Sequence, residues 1–270
     1  MRLSYVVYEP VPDLVELTAR MARLAELGYE GIELHATEPL GFAVDDLAAA
    51  ADRAGLPVVS LMTGWAYANE GVCLSSPDPG VRDRAVARLI ADVELAARLD
   101  ALVVVGLLQG LRSDEPDPSI ADGRIVDTLR RVARVAEERE VTIVIEPVNH
   151  LQVGFNHTAA EVVGLIERID SPAVGLMLDT IHMNIEERSV VRTIRDHADR
   201  LRHVHLAETN GGLFGTAHLD FPAVLDELDA VGYDRFVSVK IYRTPSWEVA
   251  ARSAIEFVRA IEPAAEPGPA

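Results

Sequence analysis

Short apolar runs rich in β-branched residues begin near positions 3, 31, 57, 101, 142, 173, 202 and 235. Between them apolar residues return at three- and four-residue spacing, as at Val15, Ala19, Ala22 and Leu27. A period of two or a continuous apolar run marks a strand, and the three-to-four spacing marks an amphipathic helix. The pattern predicts helices over 13–27, 44–54, 81–99, 125–138, 158–169, 190–200, 222–231 and 247–261. Gly28, Gly55 and Gly232 stand where helices should stop, and glycine is the usual residue just past a helix end. The strands are apolar on both faces, as parallel strands covered on both sides are.

Eight strand–helix units in 270 residues predict an α/β fold, a single (β/α)8 TIM barrel over 1–262. The Pro-, Ala- and Gly-rich tail 263–270 is expected to be disordered. An open doubly wound sheet would carry a Gly-rich loop after its first strand, and Glu9-Pro10-Val11-Pro12 offers none. The longest loops, 63–80 and 110–123, belong to the C-terminal face of a barrel, where active sites form.

Charge and cysteine content narrow the function. A formal net charge of −18 repels nucleic acid and anionic membranes, leaving a small molecule as the expected partner, with a homo-oligomer possible. No apolar run is long enough to span a bilayer, and the N-terminus lacks the apolar stretch of a signal peptide. Cys73 is the sole cysteine, which suits a reducing compartment; the expected location is the cytoplasm.

Of 25 basic residues only Lys240 is lysine. An amine can lose its proton on desolvation and a guanidinium cannot, so a lysine in a chain that otherwise uses arginine is a candidate for chemistry. It ends the run Phe236-Val237-Ser238-Val239-Lys240. Other strands also end in polar groups: strand 5 at Glu146, strand 6 at Asp179, strand 7 at His205. Strand ends of a barrel converge. Glu146, Asp179 and His205 form a carboxylate, carboxylate, imidazole set that suits a divalent metal, Mn²⁺ first, with Co²⁺, Mg²⁺, Zn²⁺ or Fe²⁺ compatible.

The segments Ile145-Glu146-Pro147-Val148-Asn149, Leu178-Asp179-Thr180-Ile181-His182-Met183-Asn184-Ile185-Glu186-Glu187 and His203-Val204-His205-Leu206-Ala207-Glu208-Thr209-Asn210 resemble the xylose-isomerase-like TIM-barrel family. Within it they are most similar to the ketose 3-epimerases of the tagatose and psicose type. The resemblance implies metal ligands at Glu146, Asp179 and His205 and a substrate-contacting histidine at His182. It also implies a glutamate at the end of strand 8, where this chain has Lys240. Gln152 and Gly211 likewise stand where the family often has glutamate and arginine.

The resulting expectation is metal-assisted epimerisation or isomerisation of a keto sugar through an enediolate. Glu146 and Lys240 are its proton-transfer groups and His182 orients a substrate oxygen. Three alternatives stay open. One is β-elimination on a 3-keto glycoside, with His150 as acid or base. Another is Schiff-base chemistry at Lys240, and the third is sugar binding without catalysis. DNA-repair endonucleases share the superfamily, but the −18 charge and missing extra ligands argue against that activity.

Trp65, in Gly64-Trp65-Ala66-Tyr67, is expected to wall the pocket, and Glu208 with Asn210 to line its mouth. Glu33 is a substrate contact or part of a polar network. His203 reads as a buried support two residues before His205, and Asp220 as a helix cap. His157 and His218 have no assigned role, and His35 and His197 are taken as ordinary. No arginine cluster marks the strand 7–8 loops, which argues against a phosphorylated substrate.

Overall fold

The computed structural model describes residues 1–37 and 43–261. The expected tail 263–270 lies outside the described residues. Eight parallel strands close in chain order: β1 (Arg2–Val6), β2 (Gly31–His35), β3 (Val58–Met62), β4 (Leu102–Val105), β5 (Ile143–Ile145), β6 (Val174–Asp179), β7 (Leu201–Leu206) and β8 (Phe236–Val239). β8 pairs with β1 through Arg2↔Phe236 to Tyr5↔Val239, which closes the barrel.

Alternation along each strand sends one set of side chains outward and the other inward. Tyr5, Ile32, Leu61, Val204 and Val237 belong to the large apolar layer between strands and helices. Val6, Met62, Val104, Val144 and Met177 form a separate buried cluster inside the barrel. The interior is not apolar all round. Ser4, Glu33, Ser60, His203 and Ser238, from β1, β2, β3, β7 and β8, are also fully buried.

The helices follow their start and stop signals. They are α1 (Leu14–Leu27), α2 (Val44–Ala54), α3 (Gly64–Glu70), α4 (Pro79–Leu99), α5 (Pro118–Glu138), α6 (Ala159–Ile169), α7 (Thr180–Glu186), α8 (Val190–Asp196), α9 (Phe221–Ala230) and α10 (Trp247–Ile261). Asp220 caps α9 as expected, accepting from Ala223 N. α4 and α5 start earlier than periodicity indicates, at Asp78-Pro79 and Asp117-Pro118. There the carboxylate accepts first-turn N–H groups and the proline occupies a position needing no donor. Gly123, taken as the end of a loop, sits inside α5. A helical glycine costs only about 1 kcal/mol relative to alanine. α3 falls within the expected loop 63–80.

The C-terminal loops are knitted to one another. Gly154 N donates to Gly110 O at 2.9 Å, joining the loop after β5 to that after β4. A Cβ on Gly154 would meet Arg112 N at 2.6 Å and Leu111 C at 2.8 Å, both backbone atoms. Gly154→Ala should therefore lower stability by about 1–3 kcal/mol, the range for overpacking. A lower urea midpoint at unchanged slope would report it, and an unchanged midpoint would contradict the contact.

Candidate active site

The expected strand-end residues meet at the C-terminal mouth. Glu146, His182, His205 and Lys240 line one cleft of about 350 Å³, with Tyr8, His35, Trp65, Gln152 and Tyr242 around them. Backbone pairing sets the level of each: Glu146 N donates to Val105 O at 2.9 Å, and Lys240 N to Leu206 O at 2.8 Å. Gly106 makes room for the Glu146 carboxylate, because a Cβ there would lie 2.6 Å from Oε2.

Asp179 ties the cluster together. Its Oδ1 accepts from Ile181 N at 2.9 Å and so caps α7, the helix that carries His182 into the cleft. Its Oδ2 accepts from Lys240 Nζ at 2.7 Å and lies 3.4 Å from His205 Nδ1. Lys240 Nζ is also 3.9 Å from Glu146 Oε1. Burial disfavours the ammonium, but the Asp179 and Glu146 carboxylates outweigh it and raise the Lys240 pKa above its usual value. Asp179, also buried, is held well below the usual carboxylate range, chiefly by Lys240.

His182 has a defined tautomer. Asn149 Oδ1 accepts from Leu151 N at 3.1 Å, so its Nδ2 donates to His182 Nδ1 at 2.7 Å. Nδ1 is therefore the acceptor, and the ring proton sits on Nε2, 3.6 Å from Glu146 Oε1. Burial pushes the His182 pKa down despite the nearby carboxylates, so the ring is a neutral hydrogen-bond donor.

A buried support lies beneath. Glu33 accepts from His205 Nε2 at 2.8 Å and pairs closely with His203 and Ser238. Burial would raise the Glu33 pKa, but the two histidines hold it well below the usual carboxylate range. Burial lowers the His205 pKa, and the Glu33 and Asp179 carboxylates more than reverse this, to about 9.

The donor chemistry fits a divalent cation. His205 Nδ1 and Glu146 Oε1 are both buried without hydrogen-bond partners. They share the site with Asp179, giving one nitrogen and two carboxylates. Glu33 on His205 Nε2 is the outer carboxylate that commonly orients a ligating imidazole and leaves its other nitrogen free. Among the described residues, the sets whose ligand atoms all lie within 4.8 Å of one another are Glu146–Asp179–His182 and Glu33–His203–His205. Asn149 holds His182 Nδ1 and leaves Nε2 beside Glu146, Glu33 holds His205 Nε2 and leaves Nδ1 beside Asp179, and Glu33 itself is saturated by its neighbours.

Residues 21–261 match the xylose isomerase-like TIM barrel family. The chain belongs to this family. It is 34% identical over 221 residues to an L-ribulose 3-epimerase of Mesorhizobium japonicum, covering 81% of this chain and 73% of the relative. It is 27% identical over 229 residues to a 3-dehydro-D-guloside 4-epimerase of Escherichia coli, covering 79% and 82%. A solved L-ribulose 3-epimerase superposes with a TM-score of 0.85 at 27% identity, covering 96% of this chain and 94% of that one.

Other sequence-based expectations in this family member need correction. Glu33 lies in a polar network and not in the cleft lining: it has no exposed surface, and its oxygens are used by His203, His205 and Ser238. Glu208 does not line the mouth. It is fully buried and accepts from Thr209 N and Ala217 N, bracing its own loop. His150 is exposed and bonds Glu186, away from the cleft-lining residues. His35 is not ordinary. It lines the cleft, stacks on Trp65 at 3.8 Å between ring centroids, and both its nitrogens are buried without partners. Burial and the Lys240 charge hold its pKa down to about 4. Tyr8 and Tyr242, which sequence reading missed, complete the aromatic rim.

Gly211 stands where the resemblance implies an arginine. Its φ is +69°, and a Cβ there would run into the Tyr242 ring. Tyr242 occupies the space that a side chain at 211 would need.

The pKa directions set the pH behaviour of chelator-treated protein. Glu33 and Asp179 are depressed, so their stabilisation is present above the usual carboxylate range and lost as pH falls through their folded pKa values. His205 is raised, so its contribution is present below its unperturbed value of 6.5 and lost as pH rises through about 9. Thermal melts in chelator should show the midpoint falling across that upper window, with a shallower fall in His205→Asn. Identical profiles would contradict the assignment.

Proposed function

We propose that this protein epimerises a keto sugar at a carbon next to its carbonyl. The observation that carries the reading is the meeting of Glu146 and Lys240, from β5 and β8, in one cleft, with Glu146 Oε1 free of hydrogen bonds. The similarity to L-ribulose 3-epimerase and to 3-dehydro-D-guloside 4-epimerase supports it, since both names describe inversion of one sugar carbon.

In this reading Glu146 takes the proton α to the carbonyl, and the electron pair moves onto the carbonyl oxygen to give an enediolate. Lys240 returns a proton to the opposite face of the same carbon as the carbonyl re-forms. Transfer across the gap between Lys240 and Glu146, 3.9 Å in this structure, then restores the starting charges once product leaves. A reacting carbon needs about 3–3.5 Å on each side. Lys240 Nζ and Glu146 Oε1 must therefore part by about 2–3 Å when the sugar binds. His182, through Nε2–H, donates to a substrate oxygen and fixes the sugar. Neutral His35 and the Trp65 face bind its remaining surface.

Glu146, Asp179 and His205 would hold a divalent cation, which we assign as Mn²⁺, with Co²⁺, Mg²⁺, Zn²⁺ or Fe²⁺ compatible with the same donors. When bound, such an ion stabilises, as a Lewis acid, negative charge on the substrate oxygens. The ammonium state of Lys240 weighs against imine formation, which needs a free amine. The exposed position of His150 weighs against its use as the acid of an elimination.

Lys240→Met should lower turnover by about 10²–10⁴-fold, the usual worth of a positioned acid or base, while metal content by elemental analysis stays at the wild-type level. Wild-type enzyme should place solvent deuterium at the inverted carbon and release no fragment. Full activity in the variant, or a fragment detected by mass balance, would overturn the reading.

A further inference from the structure

At the N-terminal mouth of the barrel, opposite the cleft, lies a second cavity of about 360 Å³. Arg2, Arg202 and Arg235 line one side. They come from the start of β1, the start of β7 and the residue before β8, which are neighbouring strands. Asp100 and Glu140 line the other side, ahead of β4 and β5. The opening is thus divided into a cationic arc and an acidic arc.

The arginines are positioned without being neutralised. The Arg2 guanidinium lies 4.0 Å over the Phe236 ring. Arg202 donates to the carbonyls of Asp199 and Leu201 at 2.9 and 3.0 Å, and its stem crosses Gly175, where a Cβ would collide with it. None of the three forms an ion pair among the described residues, although neighbouring Arg200 pairs with Asp199. Burial and the charges of Arg235 and Arg200 depress the Arg202 pKa, as expected of crowded cations. Asp199 offsets this only in part and forms no ion pair with Arg202, so the three like charges raise the free energy of the empty site, and a bound anion lowers that cost.

We propose that this mouth binds a phosphate monoester bearing hydroxyl groups. The planar forks of the arginines match phosphate oxygens, and a dianion answers three guanidiniums better than a single carboxylate does. The cavity is larger than a phosphate, and the acidic arc of Asp100 and Glu140 offers acceptors for hydroxyls on the remainder. His203 forms part of the inner wall. The same residue bonds Glu33, which supports His205 at the other end of the barrel.

Calorimetric titration of the full chain with glycerol 3-phosphate and with inorganic phosphate, at fixed ionic strength, tests this. One saturable site is expected for the ester, about tenfold tighter than for inorganic phosphate, and unchanged in K240M. The double variant R202Q/R235Q should weaken it by about tenfold or more, and R235K should restore part of the loss. Amide hydrogen exchange supplies a readout independent of variants: the ester should protect the first residues of β7 and β8. Absence of saturable binding, equal binding in R202Q/R235Q, or protection confined to the C-terminal cleft would overturn the proposal. Equal affinity for both ligands would overturn the assignment of an ester.

Discussion

Asp179 has one carboxylate and three neighbours to satisfy. One oxygen ends β6 by capping α7; the other accepts from Lys240 and faces His205. An ion taken out of water costs several kcal/mol unless its partners are close and well aligned. Glu33, Glu146 and Asp179 are all buried within one end of the barrel. They are tolerated together because Lys240 and the imidazoles stand among them. Lys240 is therefore first a structural counter-charge, and its chemistry follows from that role. Without it the Glu146 and Asp179 carboxylates would face each other with no ammonium between them.

The barrel interior is built in two halves. Val104, Val144 and Met177 fill one side with ordinary apolar contacts. The other side replaces that filling with Ser4, Glu33, His203 and Ser238, a hydrogen-bonded set with no exposed oxygen on Glu33. Such a set gains little stability over apolar packing, but it fixes direction. His205 can present only Nδ1 to the cleft because Nε2 is committed below. Asn149 does the same for His182 from the side. Each ring is thus fixed from outside the cleft, His205 presenting Nδ1 and His182 presenting Nε2.

The sequence was informative wherever strand alternation alone decides direction. Glu146, Asp179, His205 and Lys240 each end an apolar run, and the barrel brings them together as expected. The same alternation puts Glu33 and His35 on one face of β2, so the signal for His35 was present and undervalued. Residues beyond the strand ends were another matter. Glu208 turns inward because Ala217, nine residues on, offers it an N–H. Tyr242 and Gln152 reach the cleft, and Asn149 reaches His182, by loop paths that no periodicity encodes. The early starts of α4 and α5 were written in Asp-Pro pairs, which the apolar spacing could not reveal.

The Gly211–Tyr242 contact has a bearing on how such a site changes over generations. A side chain at 211 and the Tyr242 ring compete for one space, so what 211 can hold depends on the size of the residue at 242. An arginine introduced at 211 would first require a smaller residue at 242, and enlarging 242 requires glycine at 211. The two positions form a lock with an obligatory order of opening. A library randomising 211 alone, with Tyr242 in place, would therefore miss the pairs that the two positions accept only together.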